Sequence, residues 1–571
     1  VDDNGGTDTV VYNFDSVNIS SGKISGDYTH ETDAFFDDKK TPGGKNKVLV
    51  NLDGSEDTLY DIEQFHFVSK ASSSSDLLVG NDKINNLNAG LGDDYIYGGG
   101  GGDILTGGGG NDRLHGGSGN DTAIFNGVGP YQYTIENWSV KVQGGSGTDY
   151  LYDIENLEVN GVKSDISTAL GLSDSELLKM YAPVLGLEQD DYIPTSIEAF
   201  LDHAILFESG ALEKNDPIAF GKNIGSLGEK VYELDLWPNP DDEYMVKTSL
   251  SDPDSIKSIL DSGKSYYLDF INGEFSGRED TDPGSIADAG DWANKSKDLF
   301  EFDAKAIDDE YGSTVYAQSE HVGGSIYLQY YFFYVENDWT DYVSVGGYHE
   351  ADWEFMQIEL DKDTLLPNAF STSTHIGYGQ VRNPFDHDIS HANNHVLTYV
   401  ADGGHGNYLT KGKTSFAEYL GGTDERFDDK LLVPDVEDKN INIQDGLGNT
   451  WGASTERDNY DLVEITPDSF VGKWLELDVV WGKDYKVGSP ISNPPKSPVY
   501  NKDDRWGSPE SWIKNNLYEA SDIVENLRDS DNYQLDADGS IQLAGLSGGQ
   551  MEMGFLFDDT ELAPLGHFDL V

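Results

Sequence analysis

Length, composition and charge already exclude several classes of protein. The 571 residues are enough for about two to four domains, and 104 acidic against 37 basic residues give a formal net charge of -67. This charge excludes nucleic acid as an ordinary partner, because a phosphate backbone is bound by lysine and arginine, and it disfavours electrostatic binding to anionic lipid. Cysteine is absent, and no apolar run approaches the roughly 20 residues of a membrane-spanning helix.

Residues 1–70 have the pattern of a β module that flanks a repeat. The pattern begins with GGTDTVVYNF at Gly5 and closes with EDTLYDIEQFHF at Phe67, and residues 119–161 repeat this design from GNDTAIFNG to TDYLYDIENLEV. Alternating apolar residues in both segments predict strands. Because Gly5–Asp8 has the form of the end of a nonapeptide whose predecessors are missing, we expect the chain to be part of a longer protein.

Residues 71–126 are predicted to form a parallel β-roll. Four nonapeptides run in register from Ala89 to Ile124: AGLGDDYIY, GGGGGDILT, GGGGNDRLH and GGSGNDTAI. Paired glycines allow turns that expose backbone carbonyls, and an aspartate follows at a fixed place, so each repeat offers the hard oxygen ligands that calcium prefers. A flexible glycine-rich linker is the alternative, but a linker has no reason to keep a nine-residue period. The candidate calcium ligands are Asp82 (three residues out of phase), Asp94, Asp103, Asp112, Asp121 and Asp149.

These repeats resemble those of the repeats-in-toxin family of secreted bacterial proteins. The resemblance implies calcium ions between successive turns on one side of the roll, an extracellular location and export by a type I system. Residues 127–165 are expected to form a second β module that caps the roll. Within this module, Gly144–Tyr152 (GGSGTDYLY) is a complete repeat pattern that has no neighbour in phase.

A second domain, residues 166–515, is predicted where the glycine periodicity stops. Capping residues predict three short helices, at Ser173 with Glu176, at Thr195 with an apolar face that reaches Ile205, and at Asp252-Pro253. Apolar and aromatic runs predict strands at Ile326–Val335, Asp352–Leu360 and His395–Ala401. The expected fold class is mainly β: a parallel roll with calcium-binding nonapeptide repeats and flanking β modules, followed by a β-sandwich with peripheral helices.

The stretch GGYHEADWE at Gly346–Glu354 carries the chemistry expected of the second domain. On a strand, Asp352 and Glu354 share one face, with His349 just before them and Asp341 upstream. Carboxylates with one imidazole suit calcium, magnesium or manganese better than zinc. The alternative is a solvated loop with surface carboxylates. We expect the two carboxylates to point inward instead, because the apolar residues that follow lie on their face, and a buried charge needs a partner.

Two family resemblances rest on these residues. The pattern H-x-x-D-W-E after a glycine resembles the G-H-R-H-D-W-E motif of the necrosis- and ethylene-inducing-like proteins, secreted cytolysins in which the motif carries a divalent-metal site on a β-sandwich. A wider resemblance, to the vacuolar-protein-sorting sixty-two-like family, rests on the ordered blocks Tyr181–Ser196, His349–Leu360, Val396–Tyr408 and Asp504–Trp512. By these resemblances the metal ligands would be Asp341, His349, Asp352 and Glu354, with His375 and His405 near the same pocket.

Two further segments leave alternatives open. The run HDISHANNH (His387–His395) has helical i, i+4, i+8 spacing and is interpreted either as a zinc site or as solvated loop histidines. Residues 516–571 are expected to be a C-terminal extension that includes the secretion signal. Their Asp536–Gly539 segment resembles part of an EF-hand loop, but it lacks the closing glutamate, so we interpret it as a polar turn.

Two functions from different classes follow from these patterns. The first is a secreted, calcium-dependent bacterial protein whose metal-binding second domain recognises a glycan or lipid headgroup on a target surface, as a toxin, cytolysin or adhesin does. The second is a secreted metal-dependent hydrolase or lyase that acts on an extracellular polymer. Enzymatic activity stays open and no catalytic residue is assigned, because no G-x-S-x-G nucleophile motif and no cysteine is present.

Overall fold

The computed structural model describes residues 77–80, 83–145, 147–188, 193–202, 204–209, 217–220, 248–261, 265–270, 311–338, 348–373, 380–384, 389–415, 423–426, 430–435, 456–482, 495–500 and 509, with backbone strands between residues 9 and 69 and between 533 and 543. The chain divides into two compact units. Unit 1 comprises Val1–Leu172, Leu360–Pro367 and Leu527–Val571, and unit 2 comprises Ser173–Glu359 and Asn368–Asn526. The boundaries of the five domains expected from the sequence stay predictions.

In its described residues, unit 1 consists of strands and one short helix, Ile166–Leu170. Its strands up to that helix are β1 Thr9–Phe14, β2 Asn18–Ser20, β3 Lys23–Ser25, β4 Lys47–Leu52, β5 Ser55–Tyr60, β6 Gln64–Ser69, β7 Leu77–Val79, β8 Asn86–Leu91, β9 Tyr95–Gly101, β10 Ile104–Gly109, β11 Arg113–Gly119, β12 Thr122–Phe125, β13 Gln132–Glu136, β14 Ser139–Gly144, β15 Gly147–Tyr152, β16 Asn156–Val159 and β17 Val162–Asp165.

The nonapeptides form a parallel roll of two sheets. One sheet has the order β1-β6-β7-β9-β11-β15-β14-β13 and the other β17-β16-β12-β10-β8. Ile104 pairs with Asn86, and Arg113 pairs with Tyr95, so one coil of the roll uses two nonapeptides and places one strand in each sheet. This arrangement follows from the repeat itself, because every nine residues a glycine turn sends the chain to the opposite sheet.

The apolar residue of each repeat points into the roll. Its ladders are Leu78, Ile96, Leu114 and Leu151 in one sheet and Leu87, Leu105, Ala123 and Leu157 in the other, each at most 4% exposed. Full burial of such aliphatic side chains contributes on the order of 1.5–3 kcal/mol each. The core of the roll is therefore a narrow double row of these side chains.

The isolated repeat Gly144–Tyr152 returns to the roll although it is out of phase in the sequence. Along the chain, β12 is followed by the antiparallel hairpin β13–β14 and then by β15. The hairpin turns through Asn137 and Trp138 (φ 50° and 55°). Strand β15 then pairs in parallel with β11, with Tyr150 opposite Arg113. The hairpin absorbs the change of phase, so this repeat continues the stack of coils.

Unit 2 contains the second group of strands and most of the helices. The strands are β18 Val184–Leu187, β19 Ala204–Ser209, β20 Pro217–Phe220, β21 Thr248–Ser249, β22 Ser265–Phe270, β23 Ser313–Val322, β24 Ser325–Asp338, β25 Tyr348–Asp361, β26 Pro367–Thr372, β27 Gln380–Arg382, β28 His391–Ala392, β29 His395–Val400, β30 Asn407–Tyr408, β31 Gly412–Ser415, β32 Thr423–Arg426, β33 Lys430–Pro434, β34 Glu456–Glu464 and β35 Val480–Trp481. Strands β25 and β26 extend at one end into the Leu360–Pro367 segment of unit 1. Strands β36 Tyr533–Leu535 and β37 Ile541–Leu543 belong to unit 1, within its segment Leu527–Val571. The helices are Asp174–Met180, Ile197–Asp202, Pro253–Leu260, Phe470–Leu475 and a 3₁₀ turn at Pro498–Tyr500.

A large curled sheet dominates unit 2. Its strand order is β27-β26-β25-β24-β23-β34-β33-β18-β29-β28, with β30 beside β29. Strands β25 and β29 are far apart in this order, yet the Thr398 hydroxyl donates to the Met356 sulfur at 3.4 Å. The Asn407 N–H likewise donates to the Ser373 carbonyl at 2.8 Å. The sheet therefore curls until its two ends meet.

A second sheet, of order β21-β20-β19-β22-β35, shares a hydrophobic core with the large one. This core joins Trp353 and Phe355 of β25 to Leu268 of β22, Trp481 of β35 and Trp474 of the helix Phe470–Leu475. The Trp353 and Trp481 rings meet edge to face, with centroids 5.7 Å apart. The expected fold class, mainly β with a parallel roll followed by a second β domain, is confirmed. None of the helices in the described part of the chain is long and apolar enough to cross a membrane.

The three predicted helices are present, and the second needs two corrections, to its length and to its capping residue. The capping box of Ser173 and Glu176 and the Asp252 cap are both present. The second helix is shorter than predicted, because Ile205 belongs to β19. Its N-terminal amide, that of Ala199, is capped by the hydroxyl of Ser196 and not by Thr195, whose backbone forms a β-bridge. Pairing in the second sheet overrides the helical pattern there.

His391 and His395 lie on neighbouring strands, so a helical face containing both is excluded. They belong to the antiparallel pair β28–β29. The His395 Nδ1 atom lies 2.7 Å from the Ala182 carbonyl and the side chain is buried, whereas His391 contacts the carbonyl of Asn393. His387 lies outside the described residues. His395 therefore serves the packing of the sheet, which neither sequence interpretation had expected.

Candidate functional site

The repeat aspartates form two hydrogen-bonded ladders along the roll. In the first ladder (Asp94, Asp112, Asp149), the N–H of Asp94 donates to Asp112 Oδ1 at 2.9 Å and that of Asp112 to Asp149 Oδ1 at 2.9 Å. Each carboxylate thus holds the backbone of the preceding coil. Asp149 completes this ladder through the displaced repeat.

The second ladder comprises Asn85, Asp103, Asp121 and Glu155. The N–H of Asn85 donates to Asp103 Oδ1 at 2.7 Å, that of Asp103 to Asp121 Oδ1 at 2.6 Å, and that of Asp121 to Glu155 Oε2 at 2.6 Å. Asn85 occupies the aspartate position of its coil. Asp82, which the sequence had suggested, lies outside the described residues.

The second oxygen of these carboxylates, Oδ2, is suited to bind a cation. The Oδ2 atoms of Asp103, Asp112 and Asp121 are buried and accept no hydrogen bond among the described residues. Burial raises the pKa of Asp103 and of Asp112 to about 6, and that of Asp149 to about 7. A buried carboxylate without a partner is unfavourable, and a divalent cation is the partner that a hard oxygen would take.

The first glycine of each repeat has no side chain, and this leaves a space beside the Oδ2 atom of the repeat's aspartate. A backbone carbonyl of the next coil faces the same space. A Cβ on Gly98 would lie 2.4 Å from Asp103 Oδ2 and 2.5 Å from the Gly116 carbonyl oxygen of the next coil. Within the described part of the chain, no three His, Asp or Glu side chains converge on a metal position. Calcium in the roll would therefore take carboxylates from the ladders and complete its shell with these carbonyls.

In unit 2, a buried polar cluster surrounds Asp352. Strand β25 places Asp352 and Glu354 on one face, both less than a tenth exposed. The Asn337 amide donates to Asp352 Oδ2 at 3.0 Å and to the Gly404 carbonyl at 3.3 Å. His405 Nδ1 lies 3.2 Å from the same Asp352 oxygen. The inward orientation expected for these carboxylates is thus present.

His405 is held in an unusual conformation for this contact. Its φ of 57° lies in the left-handed region, which few non-glycine residues adopt. The His405 ring stacks on the Tyr334 ring with centroids 3.8 Å apart. The backbone N–H of His405 donates to the Ala401 carbonyl at 2.8 Å. Strained residues of this kind persist only where the surrounding structure holds them.

Glu354 is bound by a different donor on the same side of the sheet. The Ser373 hydroxyl donates to Glu354 Oε2, and the Phe355 N–H donates to Ser373 Oγ at 2.9 Å. The Asn407 N–H closes the sheet on the Ser373 carbonyl. Asn337 and Ser373 had no signal in the sequence, because neither belongs to a motif and only the curling of the sheet brings them to the carboxylates.

The structure thus brings together Asp352, Glu354 and His405 of the residues that the sequence had selected. Asp341 and His375 lie outside the described residues, and His349 is described only as part of the backbone of β25. A metal bound by Asp341, His349, Asp352 and Glu354 stays a prediction.

Comparison with known proteins identifies the repeat region. Residues 71–105 and 89–123 match the family model of the RTX calcium-binding nonapeptide repeat, so the chain carries a calcium-binding repeat region of a type typical of secreted proteins. No protein of curated function matches the chain. The resemblance to the vacuolar-protein-sorting sixty-two-like family stays a prediction.

Similar solved structures belong to the necrosis- and ethylene-inducing toxin fold. Necrosis and Ethylene inducing Protein 2 from the causal agent of cocoa's Witches Broom disease is 23% identical over 17% of this chain and 46% of its own, with a TM-score of 0.15. NLPPya in complex with glucosamine is 18% identical over 20% of this chain and 49% of its own, with a TM-score of 0.15. The non-toxic HaNLP3 protein is 22% identical over 21% and 51%, with a TM-score of 0.15. The chain therefore spans about half the length of each of these proteins.

Proposed function

We propose that the chain is a secreted, calcium-dependent, toxin-like or adhesin-like protein. Its roll folds around calcium, and its second domain recognises a glycan or lipid headgroup on a target surface. The observation that carries the proposal is that the Oδ2 atoms of Asp103, Asp112 and Asp121 are buried and accept no hydrogen bond from the described residues. Calcium outside the cell would stabilise the fold in place of disulfide bonds, which a chain without cysteine cannot form.

The recognition site in this proposal is a divalent-cation centre at Asp341, His349, Asp352 and Glu354. The support is the burial of two of these carboxylates together with the donors that hold them. Asn337 and His405 orient Asp352, while Ser373 orients Glu354. A cation bound there would bridge the carboxylates to an anionic or hydroxyl-rich headgroup, and these neighbours would keep the carboxylates in place for it.

Calcium dependence of the roll is tested on the full chain. Far-UV circular dichroism and calcium titration with and without chelator should show strand signal gained with calcium. Asp112→Asn should lower the number of ions bound. Asp165→Asn, an exposed residue whose side chain makes no capping hydrogen bond, is the matched control. A strand signal and calcium count that do not respond to Asp112→Asn would overturn this part of the proposal.

Surface recognition is tested separately with Asp352→Ala. The full chain is applied to a glycan array and to phosphatidylcholine vesicles with and without phosphatidylserine, with Asp461→Asn, an exposed position, as the control. Loss of binding in the Asp352 variant alone supports the proposal. The alternative, a metal-dependent hydrolase or lyase, predicts that the same variant stops release of soluble sugar from a polysaccharide while binding persists.

A further inference from the structure

The last coil of the roll departs from the repeat at two positions. Each coil has a first glycine (Gly80, Gly98, Gly116). The carbonyl oxygen of the equivalent residue in the next coil points at this glycine. A Cβ on Gly80 would lie 2.1 Å from the Gly98 carbonyl, one on Gly98 2.5 Å from the Gly116 carbonyl, and one on Gly116 2.0 Å from the Asp153 carbonyl. Asp153 therefore occupies the glycine position of the last coil, with a left-handed φ of 47°.

Glu155 occupies the aspartate position of the same coil. It accepts the N–H of Asp121 at 2.6 Å, as an aspartate accepts the corresponding N–H in the coils before it. Neither Asp153 nor Glu155 belongs to a nonapeptide, so neither was a candidate from the sequence. The ladder continues into this coil with longer and more numerous carboxylates.

An unpartnered carboxylate oxygen faces this coil. Asp121 is fully buried, and its Oδ2 atom accepts no hydrogen bond from the described residues. That atom lies 2.5 Å from the position a Cβ would take on Gly116, beside the Asp153 carbonyl. The space left by Gly116 is therefore lined by a carboxylate oxygen and a carbonyl oxygen, the arrangement found at Gly98.

A turn from a distant part of the sequence adds negative charge. The Ser167 N–H donates to the Asp363 carbonyl at 3.1 Å, and the Ile166 N–H donates to the Glu155 carbonyl at 2.9 Å, so the turn lies beside the last coil. Burial is the main cause that raises the pKa of Asp153 and of Glu155. The negative charge of the nearby Asp361 raises both pKa values further, and so does that of Asp121. All the charged groups that shift these two residues are acidic.

We propose a calcium site that closes the C-terminal end of the roll, bound by Asp121 Oδ2, the Asp153 carbonyl and the Glu155 carboxylate, with the Asp153 and Asp361 carboxylates supplying further negative charge. The site rests on the proposed calcium dependence of the roll. Asp121 belongs to the fourth nonapeptide, whereas Asp153, Glu155 and Asp361 lie outside the nonapeptides and complete the site at the last coil. Water completes the shell, because calcium accepts six to eight oxygen ligands. In this role the ion anchors the turn Leu360–Pro367 to the last coil of unit 1.

The test uses the full chain and counts ions. Equilibrium calcium titration should show that Glu155→Gln binds one calcium fewer than the wild type, and that Asp103→Asn loses a different ion. Asp165→Asn is the exposed control. Asp153→Gly keeps the carbonyl and relieves the left-handed strain, so it should fold, retain the ion and bind it more weakly. Asp361→Asn should weaken the same ion by roughly tenfold or more.

The outcomes separate this proposal from the calcium dependence of the roll. A Glu155→Gln chain with the wild-type number and affinity of ions would overturn the closing site while leaving the repeat sites intact. A wild-type chain that binds no calcium would overturn the proposed function itself. If Glu155→Gln fails to fold, the affinities of Asp153→Gly and Asp361→Asn decide the matter, since unchanged affinity in both variants would also overturn the site.

Discussion

Replacing Asp103 by asparagine should have opposite effects on the roll with and without calcium. The amide keeps the oxygen that accepts the Asn85 N–H, a bond of 2.7 Å, but it removes the buried negative charge. Without calcium the variant should be more stable than the wild type. With calcium it should be less stable, because a ligand is lost.

The size of the effect follows from the pKa of Asp103. Burial, opposed by the hydrogen bond from Asn85 and reinforced by the charge of Asp121, raises this pKa from 3.8 to about 6 in the folded chain. Because the folded pKa is raised, the folded state is disfavoured when the group ionises. The penalty is absent below the unfolded pKa, grows as pH rises, and is complete above about pH 6, where it reaches at most about 3 kcal/mol.

Hydrogen–deuterium exchange of the full chain measures this locally. Peptides covering Asn86–Phe125 are followed with chelator and with calcium, at about pH 8 and about pH 4.5, after correction for intrinsic exchange rates. At the higher pH and with chelator, Asp103→Asn should increase protection by up to roughly a hundredfold. At the lower pH the protection of the variant and that of the wild type should become similar.

Two results would refute this reasoning. One is a chelated Asp103→Asn roll that is no better protected than the wild type at about pH 8, which would mean that the ionised carboxylate is not disfavoured. The other is an advantage that persists unchanged at about pH 4.5, which would mean that charge is not its source. Asp165→Asn, whose carboxyl is exposed, should show neither effect.

Three further predictions concern packing and the two sites. Leu105→Ala, at a fully buried position of the roll, should destabilise the calcium-loaded roll by about 2–5 kcal/mol in the same exchange experiment, while Val162→Ala, 71% exposed, should leave it unchanged. Gly107→Ala places a Cβ 2.1 Å from Asp112 Oδ2, the oxygen proposed to bind calcium in its own repeat, so calcium titration should show weaker binding; unchanged affinity would contradict the carbonyl-and-carboxylate site. Ser373→Ala removes the donor to a buried carboxylate and should lower the free energy of unfolding by about 1.5–3 kcal/mol in urea, whereas the exposed Ser258→Ala should change it little.

Local patterns in the sequence determined the roll. A nine-residue period places glycines at turns, aspartates beside them and apolar residues inside, and each of these choices acts within one coil or between adjacent coils. Ile96, Leu105, Leu114 and Ala123 are buried as predicted. The caps at Ser173 and Asp252 were readable for the same reason, since a capping residue acts on amides a few positions away.

Tertiary structure alone decided the relations that cross long stretches of sequence. Asp149 joins Asp112 from 37 residues away because a hairpin absorbs the break in phase, and no local pattern encodes how much chain a hairpin will absorb. Glu155 could take an aspartate's place because the ladder requires a carboxylate at a point in space and tolerates a different residue there.

The second domain shows the same limit more strongly. The alternation of β25 predicted that Asp352 and Glu354 share an inward face, but their partners are supplied by other segments. His405 approaches from 53 residues away and Ser373 from 19. Both arrive because the large sheet curls until its ends meet. Curvature is the sum of many strand pairings and of the core they cover, so it is a property of the folded chain that a linear motif does not contain.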